Sequence, residues 1–351
     1  MDLITLAKDD PEFEGYLLGT FSETHRALPE ETFHPQTARE RITFRIVPVA
    51  EVDAPPWWRI YFMSMRPELI GLTLGPAMAA WLNQRERLAE WAMWPSWLAL
   101  AGIFFLHTAV FLFNDVQDHV RGSDRANRRR GSQVIQRGWA SAAAMKKWAV
   151  INFALAVAFG APAFFISPVP VAVVCTVALF CLGLVSWNHF TRWGVSDLCL
   201  ALLFGPLLTL GIAYSSFGHA TWRDLAVGVA FGALTIWVFQ YRQFENLFRA
   251  RPELFRTFLA YQSFDRARLL CVTEGVLLLL LQVVVAVWLQ IPGLYLLILP
   301  VVSVPLLFSL WRLYRSASPL SSNLVNSDRW ALTAHASFAV WWIIVLGLAW
   351  V

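Results

Sequence analysis

Charge is scarce in this sequence. Only 15% of its 351 residues are Asp, Glu, Lys or Arg, against about 25% in an ordinary soluble domain. With 57% hydrophobic residues, that scarcity excludes a soluble globular enzyme. Cysteine is scarce too. Cys175, Cys181, Cys199 and Cys271 all lie inside apolar runs and none forms a CxxC pair. They read as small core residues, not as metal ligands or redox pairs. Alternating segments of about ten residues, the mark of a membrane β-barrel, are missing. So is a leader: Met1 to Asp10 is polar and acidic, and no cleavable signal peptide is expected.

What the chain has instead is long apolar runs, and roughly 20 such residues cross a bilayer. The runs predict about nine helices, near 60–82, 92–113, 148–166, 169–190, 195–215, 223–241, 269–290, 292–312 and 330–351. The fold class is therefore all-α, a polytopic membrane protein. Two runs begin or break at prolines (Pro162, Pro168 and Pro170; Pro292, Pro300 and Pro305), which membrane helices tolerate when neighbours satisfy the freed backbone groups. Ahead of them, residues 1–56 form a polar extension. Its stretch Arg39 to Val47 alternates enough to predict a short strand or ordered arm. Pro55-Pro56 closes it and Trp57-Trp58 reads as an interfacial anchor. The extension shows no recognisable chemistry.

The few charges are unevenly placed. Loop 114–147 carries Arg121, Arg125, Arg128, Arg129, Arg130, Arg137, Lys146 and Lys147, and loop 242–268 carries six more arginines. The intervening connections on the other side hold little beyond Arg85, Arg87 and Arg223. The positive-inside rule puts the N-terminus and both basic loops in the cytoplasm, and with nine spans the C-terminus outside. Lying on one side, the two loops are expected to cap the bundle. The spans look nearly free of mid-membrane charge, which argues against a transporter.

One stretch carries chemistry. Asn114, Asp115 and Asp118 follow the second apolar run, and at a helix end their spacing puts them on one face. Two carboxylates and an amide oxygen suit Mg²⁺, whose shell is often completed by substrate phosphates. Asp124 follows a turn at Gly122. Arg128-Arg129-Arg130 can neutralise phosphate oxygens, since guanidinium makes bidentate contacts to them. Arginines beside a membrane segment also set topology, and taken alone they read that way. His119 reads as a solvated or hydrogen-bonding residue rather than a metal ligand.

The pattern Asn114-Asp115-x-x-Asp118-x-x-x-Gly122-x-Asp124, followed by Gly131-Ser132-Gln133-Val134-Ile135 and Gly138, resembles the first aspartate-rich motif of the UbiA superfamily of intramembrane prenyltransferases. Its spacing looks most like the branch that prenylates 1,4-dihydroxy-2-naphthoate. Met65-Arg66-Pro67-Glu68-Leu69 resembles the family's entry to its first helix, and Trp193 to Asp197 with Leu203-Phe204-Gly205-Pro206-Leu207 resembles its fifth. The resemblance covers residues 57–351 and implies a UbiA-like bundle. It also implies Mg²⁺ held by Asn114, Asp115, Asp118 and Glu245, with Asp115, Asp118 and Asp124 as catalytic residues. Arg66, Arg128, Arg129, Arg130, Arg192 and Arg242 would bind the diphosphate. The implied partners are a polyprenyl diphosphate, an aromatic quinone-precursor-like acceptor and the bilayer of a bacterial-type cytoplasmic membrane. Nucleic acid is not among them. Arg192 serves equally well as a topology-setting charge.

The family's second acidic motif is depleted here. In Gln240-Tyr241-Arg242-Gln243-Phe244-Glu245-Asn246-Leu247, Gln243 and Leu247 stand where acids are expected. Three alternatives stay open beside transfer to an aromatic acceptor: an altered donor, a prenyl-lipid-binding protein or scaffold without turnover, and a terpene cyclase of the same superfamily.

Overall fold

The structure, a computed structural model, describes residues 2–34, 37–84, 93–126, 131–186, 193–244 and 258–348. Along the chain come β1 (Asp2–Ala7), α1 (Phe13–Leu18), β2 (His25–Phe33), β3 (Arg41–Pro48), α2 (Trp57–Ser64), α3 (Ile70–Asn83), α4 (Met93–Arg121) and the one-turn α5 (Ser123–Ala126). Then follow α6 (Ala142–Gly160), α7 (Ala163–Ile166), α8 (Pro168–Ser186), α9 (Val195–Phe204), α10 (Pro206–Phe217), α11 (Trp222–Gln243) and α12 (Phe264–Trp288). Short α13 (Gly293–Leu296) and α14 (Leu299–Val302) precede α15 (Val304–Tyr314), and α16 (Ser327–Leu348) is last.

Among the described residues, eight helical segments are long and apolar enough to cross a membrane. They cover eight of the expected runs, so the chain is a helical, multi-pass membrane protein. Its outward helix faces stay apolar: Phe180, Leu277 and Val284 are each exposed, as residues facing lipid tails are.

Two expected boundaries are corrected. The run 60–82 is not one helix. It breaks between α2 and α3, where Arg66 takes φ +52° and a 3₁₀ turn runs from Pro67 to Leu69. Proline supplies no N–H to the helix ladder and pushes the preceding residue out of the α region. The run 92–113 does not end before the acidic motif. α4 continues through Asn114, Asp115 and Asp118 to Arg121, so the motif lies on helix and not in a loop. Nothing before Gly122 obliges the helix to stop; Gly122, at φ +87°, does.

The chain groups into two compact units, residues 1–67 with 104–157, and 68–103 with 158–351. The first holds a three-stranded antiparallel sheet in the order β1-β3-β2. β3 is the strand expected from the alternation in 39–47. Its Ile42 and Phe44 are fully buried against Phe13 and Leu17 of α1. β2 reads poorly as a strand because Pro29 interrupts it, and the register shifts there, between Pro29 and Glu31. Proline belongs on an edge strand or at a bulge, and β2 has both. A second core in this unit packs Ile60, Leu112, Val116, Val134, Ile135, Met145 and Ala149.

In the second unit, α9 and α10 are separated at Gly205-Pro206 and pressed onto α11. A Cβ on Gly205 would lie 2.7 Å from Gly232 Cα, one on Gly228 2.7 Å from Pro206 Cα, and one on Gly232 2.5 Å from Ala201 O. Small residues four apart let membrane helices approach this closely. Trp237, Trp342, Phe231 and Phe338 fill the core. The buried Gln282 is satisfied at both ends, accepting from Trp342 Nε1 at 2.7 Å and donating to Ala230 O at 3.0 Å.

Candidate functional site

The last two turns of α4 bring Asn114, Asp115 and Asp118 together. Asn114 Nδ2 donates to Asp118 Oδ2 at 2.9 Å. Asp115 is buried, and both its oxygens are engaged. Oδ1 pairs with the Arg66 guanidinium and Oδ2 accepts from the Ser132 hydroxyl. Arg66 reaches Asp115 from the break between α2 and α3, from a left-handed backbone that costs a non-glycine residue about 1–3 kcal/mol. Strain of that kind persists only where the surroundings hold it, here a carboxylate below and the Phe111 ring 5.7 Å away. Burial alone would lower the Arg66 pKa. Asp115, Asp124 and Asp118 together overcome it and hold the guanidinium above its ordinary value. Arg66 is thus a permanent cation among three carboxylates.

The loop that returns to this cluster is shaped by backbone. Gly131 at φ +73° and Gln133 at φ +58° turn it left-handed. A Cβ on Gly131 would lie 2.5 Å from Asp124 Oδ2 and 3.2 Å from Arg66 Nη2, so only a glycine brings Ser132 within reach of Asp115. Gly131→Ala is therefore expected to destabilise the fold by at least about 1–2 kcal/mol from the left-handed backbone alone. It should also weaken ligand binding at the acids. Thermal melting together with a donor KM tests this.

The described residues thus bring Asn114, Asp115, Asp118, Asp124 and Arg66 into one cluster, all within the first unit. Arg66, expected as a diphosphate contact, is in addition the ion-pair partner of Asp115. Arg128, Arg129, Arg130, Arg192 and Glu245 lie outside the described residues. Arg242, near the end of α11, is half-buried and already has a partner. His119 is hydrogen-bonded and buried, not solvated. Its Nε2 lies 3.0 Å from the carbonyl of Leu17, so Nε2 carries the proton and Nδ1 faces the Gln136 amide at 3.4 Å. No group of three or more His, Cys, Asp or Glu able to hold a metal occurs among the described residues.

Two carboxylates that the sequence reading did not single out as site residues lie in the second unit. Asp197 on α9 is buried, accepting from the backbone N–H of Phe258 at 3.0 Å and from Gln240 Nε2 at 3.5 Å. Glu274, well inside α12, lies near Gln240 as well. The signal was present: Glu274 is a lone acid in an apolar run, and such acids are seldom idle. In the second unit, then, Gln240 from the depleted motif meets two acids from neighbouring helices.

The sequence matches no protein-family model and no curated protein. Among solved structures the chain is similar to a UbiA homolog from Archaeoglobus fulgidus, bound to DMAPP and Mg²⁺. The TM-score is 0.53 at 16% sequence identity, over 82% of this chain and 99% of that one. At this identity the similarity shows the fold: the chain has the UbiA-type arrangement of membrane helices.

Proposed function

We propose that the protein is a Mg²⁺-dependent intramembrane prenyltransferase, moving a prenyl group from a polyprenyl diphosphate to an aromatic, quinone-precursor-like acceptor. The observation that carries this reading is the cluster at the end of α4, where oxygen donors at 114, 115 and 118 stand beside Arg66 and Asp124. The similar protein of the same fold binds DMAPP and Mg²⁺, which supports a prenyl diphosphate donor here. The spacing from Asp118 to Asp124 supports the naphthoate-prenylating branch.

The donor set fits Mg²⁺. It is all hard oxygen, and one or two carboxylates are the usual protein share when substrate phosphates complete the shell. Asn114, Asp115 and Asp118 would hold the ion. Bound there, Mg²⁺ would neutralise charge developing on the leaving diphosphate. Arg66 would serve the same oxygens directly, joined by Arg128, Arg129 and Arg130. Diphosphate oxygens and Asp115 compete for the Arg66 guanidinium, which couples donor binding to the state of Asp115. The apolar helices would keep water from the allylic cation while the acceptor attacks. The N-terminus and both basic loops would face the cytoplasm.

Gln243, standing where an acid is expected, favours a second reading: a prenyl-lipid-binding protein without turnover. One experiment separates them. Purified protein is given Mg²⁺ and a panel of prenyl diphosphates, with dihydroxynaphthoate, hydroxybenzoate or no acceptor. Transfer predicts a prenylated aromatic and pyrophosphate, both abolished by EDTA. Release without any acceptor would indicate a cyclase, and binding without release the second reading.

A further inference from the structure

The N-terminal sheet belongs to the same compact unit as the acidic cluster, and its contacts converge on one short segment of chain. Glu40, just before β3, is buried and lies 2.7 Å from Arg125 Nη2. Arg125 is one residue after Asp124. Its guanidinium folds back over Gly122 to donate to Val120 O as well, at 3.0 Å. A Cβ on Gly122 would sit 2.9 Å from that guanidinium, so the glycine clears the path. One turn earlier, His119 is held by Leu17 of α1. At the far end of the segment, a Cβ on Gly138 would lie 2.7 Å from Leu28 Cδ2, and one on Gly19 2.8 Å from Ser141 Cβ. The residues between these grips include Asp124, Gly131 and Ser132.

We propose that the N-terminal sheet is a positioning element for the acidic turn, with Glu40 acting through Arg125 to set where Asp124 stands. α5 is a single turn, and two successive side chains on it face different partners. Arg125 goes to Glu40, while Asp124 lies against Gly131 and within electrostatic reach of Arg66. Moving one moves the other. Docking alone does not require an ion pair. The apolar contacts at Leu28 and Leu17 are available for that, and a buried pair often stabilises no more than packed hydrophobic side chains. Burial lowers the Arg125 pKa, and Glu40 opposes that shift. Glu40 is a positioning residue here, touching neither donor nor acceptor.

This inference rests on the reading of Asp115 to Asp124 as the diphosphate site, and the test separates the two. The full chain is assayed for Mg²⁺-dependent binding of a prenyl thiodiphosphate, which does not turn over, and for donor KM and kcat. Glu40→Gln keeps the shape and removes the charge. It is expected to raise both the thiodiphosphate Kd and the half-saturating Mg²⁺ about tenfold, the low end of what residues outside a metal's own ligand set control. Arg125→Lys keeps the charge and loses the fork. It should shift the same quantities less, and it carries the test if Glu40→Gln fails to fold. Phe44→Leu loosens the sheet core away from the turn; it should lower Tm without moving the Mg²⁺ response. Wild-type Mg²⁺ response in a folded Glu40→Gln or Arg125→Lys, beside an inactive Asp115→Ala, overturns the inference alone. An Asp115→Ala that binds and turns over like wild type overturns the site reading and this inference with it.

Discussion

Asp115→Ala is expected to reduce Mg²⁺-dependent pyrophosphate release by about 10³-fold, the loss of several kcal/mol of charge stabilisation at the leaving group. The substitution removes a buried carboxylate of the cluster and strands two groups that depend on it. Arg66 loses its ion-pair partner and Ser132 its acceptor. Asp115→Asn separates these effects. The amide still accepts from Ser132, so the loop should stay closed, yet it offers no charge to a metal. Activity is expected to fall nearly as far with a much smaller loss of stability. Pyrophosphate release and thermal melting on the same preparations check both expectations.

Arg66→Met should have the largest effect on stability. It leaves Asp115 and Asp124, both buried, without the cation that faces them. Removing one partner of a buried pair costs about 3–5 kcal/mol. Adding Asp115→Asn should recover part of that, because the remaining group is then neutral. The two sites are in direct contact, so their effects are expected not to add. Melting curves of the two single variants and the double give the coupling. An Arg66→Met protein that melts like wild type would show that the ion pair does not hold this cluster together.

The acidic cluster was half legible in the sequence. Asn114, Asp115 and Asp118 announce themselves because their spacing is that of a helix face, and a helix face is local. The contacts of Arg66 and Ser132 with Asp115 were not legible, since they span separations of 49 and 17 residues. Pro67 bars Arg66 from the α region, but it does not signal a left-handed backbone aimed at an aspartate. The helix end was misplaced for a related reason. Loss of hydrophobicity at residue 114 marks where the apolar run stops, while a backbone signal, Gly122, marks where the helix stops. Those points differ by two turns, and the site occupies the difference.

The arm shows the limit of periodicity more sharply. One strand was readable because Ile42, Phe44 and Ile46 alternate with polar residues. Its partners were not: β2 is interrupted by Pro29, and β1 is too short to stand out. Residues 1–56 read as a polar extension carrying one short strand or ordered arm. In the structure the buried Glu40 meets an arginine 85 residues away, a pairing that only the fold supplies. In the second unit the apolar pattern found the helices but hid Glu274, whose single charge barely lowers the mean of a run this hydrophobic.

The most direct measurement is product analysis of the purified wild-type protein with Mg²⁺, a polyprenyl diphosphate and a hydroxylated aromatic acceptor, run beside Asp115→Ala and an EDTA control. A prenylated aromatic formed by wild type alone, together with equimolar pyrophosphate and only in the presence of Mg²⁺, is the expected result. Tight donor binding with neither product, or equal release from wild type and Asp115→Ala, would contradict a transferase built on the end of α4.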